Sequence, residues 1–471
     1  MSAPAAPADP YRLDRSQVAE PPTRLSGMLR YLGPGFILSA SIVGSGELIA
    51  TTLLGAKVGF LTFWVVVVSC LVKVTLQIEF GKHAIHSGET TFETFNRLPG
   101  PKFGRASWAT WLWIVLMLLK FVQVGGIVGA VAIILQKVMP IGSGDGIWAV
   151  TVALVTSALV FQGYYRTIER ASVVMIGLFT LFTLASVFML QFTPYAVTWG
   201  DIASGLTFRL PGDQVMLLAV IGAFGITGVG GDEIMTYNYW LLEKGYAAKV
   251  GPREDTPEWE RRARGWIRVM AWDAVLAMIV YTTVTAAFYV LGAAVLHQRA
   301  LVDGVFDPAR LPDGSGIVDT LSAIYTETLG PWAKDVFLAG AIVVLYSTLF
   351  AALAGWTRLY SDCLGTLGWI RFHDLKERAR AIAWLAWSIP LLWAVTYLLM
   401  GVPGHMVLLG GVATSAILLV VVFAVVHTRY CQLPSSLRPG RAYDVALWTS
   451  AVSIVAGAVY ALGTTLAPLF R

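Results

Sequence analysis

Long apolar stretches alternate with short polar connections along the whole chain, and the pattern predicts eleven membrane-crossing helices. A helix needs roughly 20 mainly apolar residues to cross the hydrocarbon of a bilayer. The stretches lie at about 33–58, 60–82, 108–136, 147–163, 171–192, 214–242, 266–296, 333–357, 381–400, 404–427 and 443–467. Two of them are interrupted. The first, GPGFILSASIVGSGELIATTLLGAKV, carries Gly44-Ser45-Gly46-Glu47 at its middle. The sixth crowds Gly225, Gly228, Gly230 and Gly231 at its centre, directly before Asp232-Glu233. Gly costs about 1 kcal/mol relative to Ala inside a helix. A carboxylate at membrane depth costs at least about 2.5 kcal/mol unless it has a partner or water. Unwound backbone is tolerated there only where protein or a wet cavity covers it. Both stretches therefore read as broken helices whose freed backbone groups and acids face a substrate. The plainer alternative is a kinked helix packed through small residues, with Glu47 in a structural ion pair.

The breaks are five spans apart, which points to an inverted-repeat transporter. Repeat one covers about 32–192, repeat two about 214–428, and an extra helix about 443–467. A polar tail, 1–28, precedes this transmembrane domain, 29–471, and reads as frayed. In such an architecture the two breaks meet near the midplane, where half-helix N-termini favour anions and freed carbonyls favour cations. The breaks also bring Glu47, Asp232 and Glu233, hard oxygen ligands that suit Mg²⁺, Ca²⁺ or Mn²⁺.

Composition agrees with a bilayer protein. The chain is 56% hydrophobic and 13% charged, with mean hydropathy +0.67, against about 25% charged residues in soluble domains. The net charge of +5 matters less than its placement. With the amino terminus in the cytoplasm, outer segments hold little beyond Lys137, Arg209, Arg299, Arg310 and Arg471, while the outer loop 297–331 carries Asp303, Asp307, Asp313, Asp319 and Glu327. That distribution obeys the positive-inside rule and puts the carboxyl terminus outside an inner or plasma membrane. The basic inner loops suit anionic lipid and need no nucleic acid. Cys70, Cys363 and Cys431 are single and form no metal-spaced set. No phosphate loop, zinc motif or nucleophile elbow is present, so the chain reads as a carrier rather than an enzyme, with no cofactor.

Further polar residues stand out. Lys120 in mid-span three can snorkel, pair with Glu47 or a sixth-span acid, or occupy a cation site as a tethered charge. Asp273 reads as an interfacial charge facing Arg268, or as a proton or gate residue. Glu79, His83 and His86 lie at the inner end of span two and read as solvated polar groups, or as gating residues.

At this level of detail the sequence resembles the Nramp family of divalent-metal transporters, which has the leucine-transporter-type 5+5 fold. The carriers of the resemblance are GPGF at 33–36, LQIEFGKHAIHSGE at 76–89, YRTIERASVVMIGLFTLF and VIGAFGI at 220–226. The resemblance places Gly44-Ser45-Gly46-Glu47 on the family's Asp-Pro-Gly-Asn metal motif. It implies that the metal-binding Asp is replaced by Gly44 and the Asn by Glu47. The sixth-helix Met falls on Ile226, followed by Thr227 and Gly228. The acids of the family's proton route fall near Leu116 and Gln123, beside Lys120. The resemblance thus implies a secondary carrier of a divalent cation, Mg²⁺- or Mn²⁺-like, with protons as the candidate coupling ion. Gly44, Ser45, Glu47, Ile226, Thr227, Asp232 and Glu233 form the expected substrate site, with Glu47, Asp232 and Glu233 as metal ligands. Lys120, Gln123 and Asp273 are the expected coupling or gating residues. Two other readings stay open: a same-fold carrier of a small organic or zwitterionic solute, and a membrane sensor that does not transport.

Overall fold

Backbone groups in hydrocarbon have no water to bond, so an apolar run must close its hydrogen bonds internally, as a helix does. The computed structural model describes residues 9–44, 46–161, 165–311 and 316–466, and within those residues the apolar stretches are mainly helical. The first comprises α1 (Pro34–Ile42) and α2 (Thr52–Val58), joined through a wider-wound π segment, Gly46–Thr51. Next come α3 (Phe63–Ser87), α4 (Trp108–Val138), α5 (Gly146–Phe161) and α6 (Tyr165–Leu190). The sixth stretch comprises α7 (Gln214–Ile226) and α8 (Gly231–Glu243). Then follow α9 (Pro257–Leu291), α10 (Ala333–Leu367), α11 (Leu375–Met400), α12 (Pro403–His427) and α13 (Arg441–Leu466). Among the described residues, eight helical segments are long and apolar enough to cross a membrane, and Gly146–Phe161 and Ile176–Leu190 are shorter apolar helices.

Helix α12 packs along α4 and α7, and α9 along α3 and α1. Small residues permit these approaches. A Cβ on Gly126 would stand 2.8 Å from the Pro403 carbonyl oxygen, and one on Gly225 would overlap the Gly411 carbonyl oxygen. Large apolar side chains such as Leu118, Leu181, Phe188 and Leu399 remain exposed on the outside. Lipid, rather than water, is the solvent that makes such a surface stable.

The connections hold more structure than their polarity suggests. Residues 84–106 contain a helix, Thr91–Asn96, and a two-stranded hairpin begun by Lys102–Phe103. The outer loop contains a second hairpin, Leu301–Val302 with Val305–Phe306, and a helix, Ile317–Leu329. The amino-terminal segment is docked from residue 9 onward, which corrects the expectation of a frayed tail. Tyr11 is buried and donates to Glu243 Oε1 at 2.6 Å, Asp9 pairs with Arg378 at 2.8 Å, and Trp266 Nε1 donates to the Ala19 carbonyl. An aromatic ring and a carboxylate find buried partners there, so the segment is held despite its polar composition.

Glu79, His83 and His86 are also buried rather than solvated. Glu79 pairs with Lys82 at 2.6 Å and with Arg429 at 2.9 Å, and Arg429 continues to Asp444 at the start of α13. Lys82 lies 3.9 Å from the centre of the Tyr443 ring. The helix end is wet by sequence, but the last helix covers it.

Candidate substrate site at the two helix breaks

Helix α1 is held at its start. Asp273 accepts from the Gly33 and Gly35 amides at 2.9 and 2.5 Å, and from Tyr237 at 3.3 Å. A carboxylate is the favoured partner of amides that have no partner within their own helix. Gly35 is required by proximity, since a Cβ there would stand 2.8 Å from the Asp273 carbonyl oxygen. Asp273 therefore anchors the half-helix instead of facing Arg268, and it lies away from the break.

At the other end α1 stops at Ile42. A Cβ on Gly44 would overlap Thr348 Oγ1, and that hydroxyl donates to the Ser41 carbonyl at 3.2 Å. Beyond the break, Glu47 is fully buried. Its Oε1 accepts from Thr285 at 3.2 Å, and its Oε2 has no hydrogen-bond partner among the described residues. Ser45 lies outside the described residues.

The second break is built differently. Helix α7 ends at Ile226, and Gly228 turns the chain with φ +66°, a backbone region that Gly enters without strain. Glu233 folds back so that its Oε2 accepts from the Gly230 amide at 2.6 Å. Three carbonyls at this break share two side-chain donors from α3. Lys73 donates to the carbonyls of Phe224, Gly225 (3.0 Å) and Thr227 (2.8 Å), and Ser69 donates to Phe224 and Thr227 at 2.9 and 3.0 Å. Sequence reasoning missed Lys73. The available signal was a single cation inside an otherwise uncharged run from Val58 to Ile78.

Between the breaks lies a cavity of about 60 Å³, bounded by Ser41, Gly46, Lys120, Gln123, Ile226, Asp232, Glu233, Thr348, Trp356 and Thr414 among others. A water needs roughly 10–15 Å³ by this measure, so the space admits a few waters or a small hydrated ion. Asp232 is 5% exposed, and its Oδ2 accepts from Trp356 Nε1 at 3.3 Å. Glu233 Oε1 accepts from Ser41 at 3.3 Å. Lys120 Nζ stands 3.0 Å from Asp232 Oδ1. Its hydrogen bonds go to Gln123 Oε1 (2.7 Å) and Thr414 Oγ1 (2.8 Å), and Asp232 Oδ1 has no aligned donor.

The structure thus brings Asp232, Glu233, Lys120, Gln123 and the Ile226 backbone together. Glu47 is not on the cavity wall; it turns toward Thr285 on α9. Thr227 turns toward α3, its hydroxyl donating to the Ala223 carbonyl at 2.7 Å and to Ser69 at 3.1 Å. Gly44 faces Thr348. No cluster of three or more His, Cys, Asp or Glu positioned to hold a metal ion occurs among the described residues. The three expected carboxylate ligands are accordingly divided, two on the cavity and one behind the first break.

The sequence model of the Natural resistance-associated macrophage protein-like family (Nramp) matches residues 35–464. The chain belongs to the Nramp family. One relative, the "Divalent metal cation transporter MntH" of Mycobacterium tuberculosis, is 26% identical over 325 residues, covering 69% of this chain and 68% of that protein. A crystal structure of a mutant Eremococcus coleocola manganese transporter aligns over 98% of this chain and 92% of its own, with TM-score 0.66 and 17% identity. The structure of MhsT in complex with L-phenylalanine aligns over 95% and 99%, with TM-score 0.59 and 14% identity. These structural likenesses concern the fold. This Nramp-family chain has the leucine-transporter-type fold with its two broken helices. Where the Nramp motif resemblance implies an acidic ligand at position 44, Thr348 fills the space instead.

Proposed function

We propose that this Nramp-family protein is a secondary carrier of a divalent metal cation, working by alternating access. The observation that carries the reading is the small cavity between the breaks, which holds both Asp232 and Glu233, with Asp232 Oδ1 met only by the Lys120 ammonium at 3.0 Å among the described residues. Hard carboxylate oxygens and room for a few waters suit an ion such as Mg²⁺ or Mn²⁺, which keeps part of its hydration. Relatives named as divalent metal cation transporters support the same substrate class. In this proposal Asp232 and Glu233 are the side-chain ligands. The carbonyls of Phe224, Gly225 and Thr227 are withdrawn from the ion, because Lys73 and Ser69 hold those of Phe224 and Thr227 and Lys73 also holds that of Gly225. Eleven spans, repeats at about 32–192 and 214–428, a cytoplasmic amino terminus, an external carboxyl terminus and a plasma- or inner-membrane location complete the proposal, with protons as the candidate coupling ion.

Lys120 favours a second reading. A zwitterionic solute would set its carboxylate against the ammonium and its amine against Asp232 or Glu233. One experiment separates the two: uptake into liposomes holding the purified protein, with Mg²⁺, Mn²⁺ and Ca²⁺ read by ion-sensitive dyes and labelled amino acids run in parallel. The metal reading expects divalent flux that Glu233→Gln reduces at least about tenfold. Flux of the amino acid alone, from folded protein, would overturn it.

A further inference from the structure

We propose that Lys120 is a resident cation that sets selectivity: in the unloaded carrier its ammonium holds the seat beside Asp232 that a divalent ion takes in the loaded one. The inference rests on the metal reading above. Two adjacent carboxylates, Asp232 and Glu233, stand at a cavity deep in the helix bundle, and an uncompensated pair of that kind is costly in a medium of low dielectric. Lys120 is 4% exposed and supplies the nearest positive charge. Lys73, the other lysine of this region, is committed to the α7 carbonyls.

The hydrogen-bond geometry separates the charge of Lys120 from its anchorage. Its ammonium is fastened to two neutral acceptors, Gln123 Oε1 one turn along α4 and Thr414 Oγ1 on α12. Toward Asp232 Oδ1 it makes an ion pair at 3.0 Å but no aligned hydrogen bond. An arriving metal that takes Oδ1 displaces the ammonium from the ion pair alone, and the flexible lysine stem can swing it away from Asp232 on the side of its acceptors Gln123 and Thr414. The exchange has a charge requirement. A monovalent ion offers the carboxylates no more charge than the ammonium already there. A divalent ion offers twice as much and still brings its own waters. Lys120 thus excludes Na⁺ and K⁺ by competition, in a site whose ligands alone would attract any hard cation.

The test is calorimetric titration of the purified full-length protein with Mn²⁺, in the absence and presence of excess NaCl, on wild type, Lys120→Gln, Lys120→Met and Lys120→Arg. The glutamine keeps hydrogen-bonding groups and removes the charge; the arginine keeps the charge. The expected result is Mn²⁺ binding roughly tenfold tighter or more in Lys120→Gln, a floor well below the full attraction of contacting unit charges. NaCl is expected to weaken Mn²⁺ binding to Lys120→Gln much more than to wild type, and Lys120→Arg to stay close to wild type. Equal or weaker Mn²⁺ binding by folded Lys120→Gln, with the same NaCl response as wild type, overturns the inference and leaves the metal reading in place. Absence of divalent binding in every folded protein overturns both. Should Lys120→Met fail to fold, the glutamine and arginine variants decide.

Discussion

The two breaks solve the same problem in opposite ways. At the second, much of the exposed backbone is satisfied from within the protein: Lys73 and Ser69 take the carbonyls of Phe224, Gly225 and Thr227, and Glu233 takes the Gly230 amide at the start of α8. At the first, Thr348 presses on Gly44 and bonds the Ser41 carbonyl, while Glu47 lies buried with one oxygen bonded and the other without an aligned donor. At the second break the backbone is tied to side chains from α3 and α8, whereas at the first a buried carboxylate oxygen is left without a donor among the described residues. A carrier needs both properties, a fixed half that places the ligands and an adaptable half that closes on the cargo.

The sharpest way to break this contrast is Lys73→Met. It leaves the Gly225 carbonyl without its side-chain donor, at about 1–3 kcal/mol, and those of Phe224 and Thr227 with Ser69 alone. We expect a loss of stability of about 2–3 kcal/mol, read by thermal unfolding in detergent. A variant as stable as wild type would show that the second break is not held by Lys73. Next in size is Gly44→Asp, which forces a side chain into Thr348 and should cost about 1–3 kcal/mol. Combining it with Thr348→Ala should recover part of that loss, because alanine removes the clashing hydroxyl while its Cβ, 2.9 Å from the new one, stays; equal damage in the double variant would locate the strain elsewhere. Glu233→Gln should change flux rather than fold. The amide oxygen can still accept from Gly230, so the melting point should move little while divalent uptake falls about tenfold, equivalent to about 1.4 kcal/mol. A large drop in melting point with normal flux per folded molecule would make Glu233 purely structural. The smallest effect is expected for Asp273→Asn, which keeps an acceptor at the start of α1 but loses its charge. A cost of about 1 kcal/mol fits a helix-terminal carboxylate, and unchanged stability would remove Asp273 from the anchoring of the first half-helix.

Hydrophobic runs and glycine clusters carry the fold plainly in one dimension, which is why the helices and both interruptions are legible in the sequence. Partner choice is not, because it depends on contacts between residues far apart. Asp273 lies 240 residues from Gly33, and nothing in its own neighbourhood distinguishes that carboxylate from one facing Arg268. The direction of Glu47 likewise depends on Thr285 and on how a π segment rotates the helix, so composition at the break identifies an acid without saying which way it faces. Thr348 shows the same limit: the residue that fills the place of an implied ligand comes from α10, some 300 positions later. Asp232 and Glu233 were identifiable because they directly follow a glycine cluster, a local signal for a local arrangement.

The Glu79–Arg429 pair has a consequence for biosynthesis. The two residues are 350 positions apart, so Glu79 leaves the ribosome long before its arginine exists. Lys82, three residues on, is present almost at once and can neutralise it meanwhile. Arg429 is followed only 15 residues later by Asp444, so the late half of the cluster is also made as a near-neutral pair. The cluster is thus assembled from two self-balanced halves, and no long stage of synthesis requires an isolated charge to wait within the nascent bundle.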